Sequence, residues 1–151
     1  MYYVSLQTAI ALTGISERTL RRRIANGEII IPRHEKQYRT MFPLEYLKNN
    51  IDAQLEQNDM EIIKNADFGD VQAQSDVGLI FLEQGKYNLA IYWLELAANR
   101  NYPDAMHLLG KCYLNGDGVI KDSNTAIMWI AKAASLGHSV AIEQMKYIRC
   151  I

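Results

Sequence analysis

The stretch Tyr113-Leu-Asn-Gly-Asp-Gly-Val-Ile-Lys-Asp-Ser-Asn-Thr-Ala126 stands where an earlier part of the same chain has Phe81-Leu-Glu-Gln-Gly-Lys-Tyr-Asn-Leu-Ala90. On either side of these two loops the sequence repeats itself. Ala73 and Gly78 return as Ala105 and Gly110, 32 residues later, while Ala90, Trp93, Ala97 and Ala98 return as Ala126, Trp129, Ala133 and Ala134, 36 residues later. The four additional residues therefore lie in the loop. A period of this size with small residues at fixed places is the mark of helix pairs stacked into a solenoid. Ala and Gly let neighbouring helix backbones approach closely, and Trp93 and Trp129 fill the wider gap beside them. The other aromatic residues of the segment, Phe81, Tyr87, Tyr92, Tyr102 and Tyr113, are expected in its core as well.

The pattern Leu109-Gly-Lys-Cys-Tyr-Leu-Asn-Gly-Asp-Gly-Val119, then Asp122, Ala126, Trp129, Ala133-Ala134 and Gly137, resembles Sel-one-like repeats, relatives of the tetratricopeptide repeat. The resemblance covers residues 71 to 138 and implies an α-α solenoid whose concave groove holds a protein or peptide partner. Ile62 to Gly69 aligns with the end of a repeat through Ala66 and Gly69, so the array is expected to open on a half repeat. Ser139 to Cys150 reads as a last helix whose polar residues Glu143, Gln144, Lys146 and Arg149 cap the stack.

Towards the N-terminus the pattern is different. Ser16-Glu-Arg-Thr-Leu-Arg-Arg-Arg-Ile-Ala-Asn-Gly27 reads as a short helix with Ser16 as its cap and Gly27 as its stop. Leu20 and Ile24 share one face, and Arg18, Arg21 and Arg22 fan across the other. Leu6 to Thr13 reads as a preceding helix capped by Ser5, with Ile10 as a buried contact and Gly14 in the turn, as in a helix-turn-helix. Ile29 to Ile31 and Tyr38 to Phe42 then read as the strands of a β-hairpin with a basic tip. Tyr3-Val-Ser5, Ala9 to Gly14, Ile15-Ser-Glu-Arg-Thr-Leu-Arg-Arg22, Asn26-Gly27 and Tyr38-Arg39 together resemble the MerR/excisionase-type winged helix over residues 2 to 50. That resemblance implies a second helix in the DNA major groove and a wing on the flanking backbone.

Charge follows the same division. Residues 1 to 50 hold eight Lys/Arg against four Asp/Glu, a net +4, and the remainder holds eight against thirteen, a net −5. A basic module joined to an acidic one points to a polyanion partner for the first half only. The residues expected at DNA are Ser16, Arg18, Thr19, Arg21 and Arg22, with Arg33, Lys36 and Arg39 of the wing. Pro43 fits the first turn of a third helix continued by Leu44, Leu47, Ile51 and Leu55. The polar run after Leu55 places the domain boundary near Gln57 to Asp59.

The remaining residues exclude more than they suggest. No apolar run approaches the roughly 18 residues needed to cross a bilayer, and no secretory signal opens the chain, so a cytoplasmic protein without membrane contact is expected. Cys112 and Cys150 form no disulfide or metal framework, and His34, His107 and His138 are dispersed without ligand spacing. Gly116-Asp117-Gly118 lacks the series of oxygen ligands of a calcium loop. No nucleophile and base pair up, and neither enzyme activity nor a cofactor or metal is expected.

The expected fold is mainly α, with a winged helix-turn-helix and small β-hairpin wing over residues 1–57 and a helical repeat solenoid with a capping helix over residues 58–151. The expected function is a transcriptional regulator that binds double-stranded DNA, its repeats serving dimerisation, with a homodimer on the operator, or partner binding. The alternative is a protein–protein adaptor, or a recombination or packaging accessory with weakly specific DNA binding.

Overall fold

The computed structural model describes residues 2–30 and 41–148, and the chain divides into two compact units at Gly69/Asp70. The expected wing residues Arg33, Lys36, Tyr38 and Arg39 lie outside the described residues, as do Arg149 and Cys150. The described chain is mainly helical, with a single two-stranded sheet among the described residues.

The first unit opens on β1 (Tyr3–Ser5), α1 (Leu6–Thr13) and α2 (Glu17–Ala25). Ser5 and Ser16 cap the two helices by accepting from the amides of Thr8 and Thr19. Gly14, at φ 66°, makes the turn between them. Thr8, Ala9 and Leu12 are the buried residues of α1, whereas Ile10 is half-buried. After α2, Gly27 reverses the chain at φ 75°, so that the Glu28 and Ile29 amides both donate to the Arg23 carbonyl. That use of the Ile29 amide removes it from any ladder, and Ile29 and Ile30 form no strand. The partner of β2 (Met41–Pro43) is instead β1, antiparallel, with Val4 opposite Phe42.

The long third helix expected from Pro43 onward is also broken up. Helix α3 (Leu44–Leu47) is one turn long, Lys48–Asn50 tighten into a 3-10 turn, and Ile51 is extended. The break falls at Asn49 and Asn50, residues of low helix propensity. Leu44, Leu47, Ile51 and Leu55 are all buried, but along a bent path.

The next helix, α4 (Gln57–Asp67), belongs to this unit and not to the repeats beyond Asp70. It buries Met60, Ile63 and Ala66. Its last residue, Asp67, accepts from the Ser5 amide, the Ser5 hydroxyl and the Thr8 hydroxyl at the start of α1. Lys64 lies over the Tyr2 ring, 5.4 Å from its centre.

The second unit contains α5 (Val71–Glu83), α6 (Tyr87–Ala98), α7 (Pro103–Asn115), α8 (Ser123–Ser135) and α9 (Ser139–Ile148). Helices α5 and α6 form one packed pair and α7 and α8 the next. Each pair closes on a glycine: a Cβ at Gly78 would lie 2.6 Å from Leu94 Cδ2, and one at Gly110 would lie 2.7 Å from Ile130 Cγ1. The turns into α5, α7 and α9 pass through Gly69, Asn101 and Gly137, all at positive φ. Ala97, Ala98, Ala105, Leu109, Ile130, Ala133 and Ala141 lie in one continuous core. Of the aromatic residues expected inside, Phe81 and Trp93 are fully buried, Tyr92, Tyr102, Tyr113 and Trp129 are half-buried, and Tyr87 is exposed.

Helix α9 departs from the repeat pattern at one position. Counting on from Gly78 and Gly110 by the repeat offset, Lys146 occupies the place that admits a covering helix. Lys146 is exposed and paired with Glu143 at 2.6 Å, so this position carries a charged side chain where the earlier helices have a glycine.

Candidate functional site

Two groups of polar side chains stand out, one in each unit. In the first unit, α2 turns Leu20 into the core and leaves Arg18, Arg21 and Arg22 exposed. Arg21 pairs with Glu17 one turn earlier at 2.8 Å, both half exposed, a contact worth about 0.5 kcal/mol. Arg23 reaches towards Glu28 at 3.8 Å. Arg18 and Arg22 form no ion pair among the described residues. The Ser16 hydroxyl accepts from the Thr19 amide and donates to the Thr19 hydroxyl at 3.0 Å, so capping occupies the Ser16 hydroxyl expected to donate to phosphate. The structure thus places Ser16, Arg18, Thr19, Arg21 and Arg22 on one short helix, and Arg33, Lys36 and Arg39 fall outside the described residues.

The second group lies along α5, α7 and α9. Each of these helices starts just after a left-handed turn residue, and the residues next to those turns are Asp70, Tyr102 and His138. The register therefore delivers a different polar side chain to the same place in each repeat. Asp70 caps α5 by accepting from the Ala73 amide at 2.8 Å. Burial pushes the Asp76 carboxyl above its ordinary value, and the charges of Asp70 and Asp104 push it the same way. Tyr102 is also shifted up, first by burial, then by Asp104, Asp76 and Asp70, and by a hydrogen bond with Asp104. These residues share one negative field that spans α5 and α7.

His107 and His138, dispersed in the sequence, come together here. Their rings stack 4.5 Å apart at 24°. His138 Nδ1 accepts from the Ala141 amide at 3.1 Å and so caps α9, while Nε2 faces Asp104 at 3.3 Å. His138 thus acts at the start of α9. His107 is buried, and its Nε2 lies 2.9 Å from Gln144 Oε1. Burial lowers its proton affinity, His138 and Lys111 lower it further, and the Gln144 hydrogen bond and Asp104 oppose them.

Sequence reading missed this face because its members are a repeat apart. The signal that reveals it is the turn register, Gly69, Asn101, Gly137, each succeeded by a polar residue. Elsewhere, Cys112 is buried and its thiol is pushed up to about 11, chiefly by burial, which makes it a packing residue and not a nucleophile. Among the described residues no three His, Cys, Asp or Glu side chains group as metal ligands. No described helix is long and apolar enough to cross a membrane.

Comparison with known proteins agrees with the geometry of the second unit. Residues 71–102 and 103–138 each match the Sel1 repeat model. The chain is similar to the crystal structure of a Sel1 repeat protein from Oxalobacter formigenes, at 23% identity over 92% of this chain and 87% of that one, with a TM-score of 0.54. At that identity the likeness concerns the fold. No curated protein sequence matches the chain. The segments that match the Sel1 repeat model are the helix pairs α5–α6 and α7–α8, each closed within itself at Gly78 or Gly110.

Proposed function

We propose that the chain is a protein–protein adaptor, a scaffold and not a catalyst, whose Sel1 repeats seat a cationic segment of a partner protein inside the cell. The observation that carries this reading is the pair of successive helix pairs that match the Sel1 repeat model, with the charges of Asp70 and Asp104 acting on Asp76 and Tyr102 to make one face negative. A Lys or Arg side chain of a partner relieves the mutual repulsion of those carboxylates, so binding and charge neutralisation reinforce each other. The matches fall on the repeats, which favours the adaptor over the transcriptional regulator.

The test is in-cell cross-linking of the full chain against an Asp76→Lys variant, with mass spectrometry of the captured proteins. A partner recovered about tenfold less by the variant supports the reading, since one reversed charge at an interface alters affinity by about that factor or more. Equal recovery by both chains rules out this face.

A second reading keeps DNA as a partner of the first unit, and the observation behind it is the exposure of Arg18 and Arg22 on α2. Changing Arg18, Arg21 and Arg22 to Ala should then abolish binding to a duplex. Binding that survives the change removes this reading. The steepness of the salt dependence and the preference over random sequence separate a dimeric operator-specific regulator from an accessory of weak specificity.

A further inference from the structure

We propose that the stacked His107–His138 pair makes α9 a pH-sensitive closing element, held on α7 and α8 when both imidazoles are neutral and released when they take up protons. The argument starts from which nitrogen carries the hydrogen. The Ala141 amide has only a proton to offer, so His138 Nδ1 must present its lone pair, and the ring hydrogen sits on Nε2 towards Asp104. A second proton has to bind Nδ1. It then meets the Ala141 N–H donor to donor, and the cap of α9 is lost.

The neighbouring ring adds to the effect. His107 lies face to face with His138 at 4.5 Å, so two imidazolium ions there repel one another across a site half closed to water. The other groups facing the pair are Asp104 and Lys111 of α7, Gln144 of α9, and the Ala133 carbonyl of α8, which accepts from the His138 amide at 3.0 Å. Among the described residues Asp104 is the opposing charge beside the pair, and at 63% side-chain exposure it is well screened. Lys111 acts in the same sense as the second imidazolium. Helix α9 contributes Ala141 to the core with Met145 packed against it, the smallest buried share of the five helices of the second unit, so loss of the cap and of the His107–Gln144 contact acts on the least buried helix of that unit.

The test is amide hydrogen exchange on the full chain at pH 7.5 and 5.5, expressed as protection factors so that the intrinsic pH dependence of exchange is removed. Protection over residues 139–148 should fall about tenfold, the scale on which losing an N-cap loosens a helix. Protection over α5 and α6 should stay constant. A double variant, His107→Gln with His138→Asn, keeps a side-chain acceptor at the cap but cannot titrate, and should hold α9 protected at both pH values. Protection of α9 that is unchanged with pH in the native chain overturns the proposal, as does an undiminished loss in the double variant. Should the variant not fold, the native chain still decides by NMR: histidine ring signals that titrate together with the Ala141 amide support the switch, and ring titration with an unmoved Ala141 amide overturns it.

Discussion

Gly78 and Gly110 stand at the same place in successive repeats, yet a methyl group added at each meets different matter. At Gly78 the nearest atoms are Leu94 Cδ2 at 2.6 Å and Cγ at 2.8 Å, the far end of a side chain that can turn aside. At Gly110 the added carbon meets Ile130 Cγ1 at 2.7 Å and also the Ala126 carbonyl oxygen at 3.1 Å, which belongs to the backbone of α8. Replacing Gly by Ala inside a helix contributes about 1 kcal/mol of stability, and overpacking costs about 1–3 kcal/mol. Gly78→Ala is therefore expected to leave stability within about 1 kcal/mol of the native chain, while Gly110→Ala should lower it by about 1–2 kcal/mol. Urea unfolding of both variants checks the difference, and equal losses would refute the backbone argument. These two glycines were legible in the sequence because a backbone approach leaves a fixed mark, a missing side chain at a constant offset. The His107–His138 contact left no such mark. Its members are 31 positions apart, and only the handover from α7 to α9 brings the rings together.

Helix α4 shows the same contrast among elements. Ala66 and Gly69 align it with the ends of later repeats, and that alignment suggests a half repeat joined to α5. Its packing is decided by Asp67, whose carboxylate takes three hydrogen bonds from Ser5 and Thr8 at the head of α1. Such an acceptor, beside a helix N-terminus, satisfies orphan donors that repeat periodicity does not reveal. Thr8 is buried, 4% exposed, so removing its acceptor strands a hydroxyl away from water. Asp67→Ala should therefore lower the stability of the first unit by about 2–3 kcal/mol, more than the loss of a surface acid, and leave the second unit unaffected. Thermal melting followed at Tyr2 or Tyr3 against Trp93 separates the two responses. Helices α1 and α2 were legible down to their serine caps, since Ser5 and Ser16 act within three residues of the amides they satisfy. The break after α3 was not, because Leu44, Leu47, Ile51 and Leu55 keep helical spacing while the backbone between them tightens at Lys48–Asn50 and extends at Ile51.

At the scale of the whole chain, the division at Gly69/Asp70 predicts which fragments fold. The second unit has its own continuous core, from Ile91 and Leu94 through Leu109 and Ile130 to Ala141, and a fragment of residues 70–151 should fold alone. Its stability should fall as pH drops through about 6.5. Burial holds the proton affinity of His107 below that of the unfolded chain, so acid is taken up first by the unfolded state, and the contribution is complete only above that pH. In the first unit the placement of the cut is decisive. A fragment of residues 1–58 keeps α1, α2 and the β1–β2 pair but loses Met60, Ile63 and Ala66 from its core, together with the Asp67 knot. Each deleted large core side chain is worth about 2–4 kcal/mol, close to the whole stability of a domain this small. Residues 1–69 should therefore melt cooperatively by circular dichroism, while residues 1–58 should show no transition. A cooperative transition in the shorter fragment would show that α4 and the Asp67 hydrogen bonds are dispensable to the first unit, and would refute the argument that they complete its core.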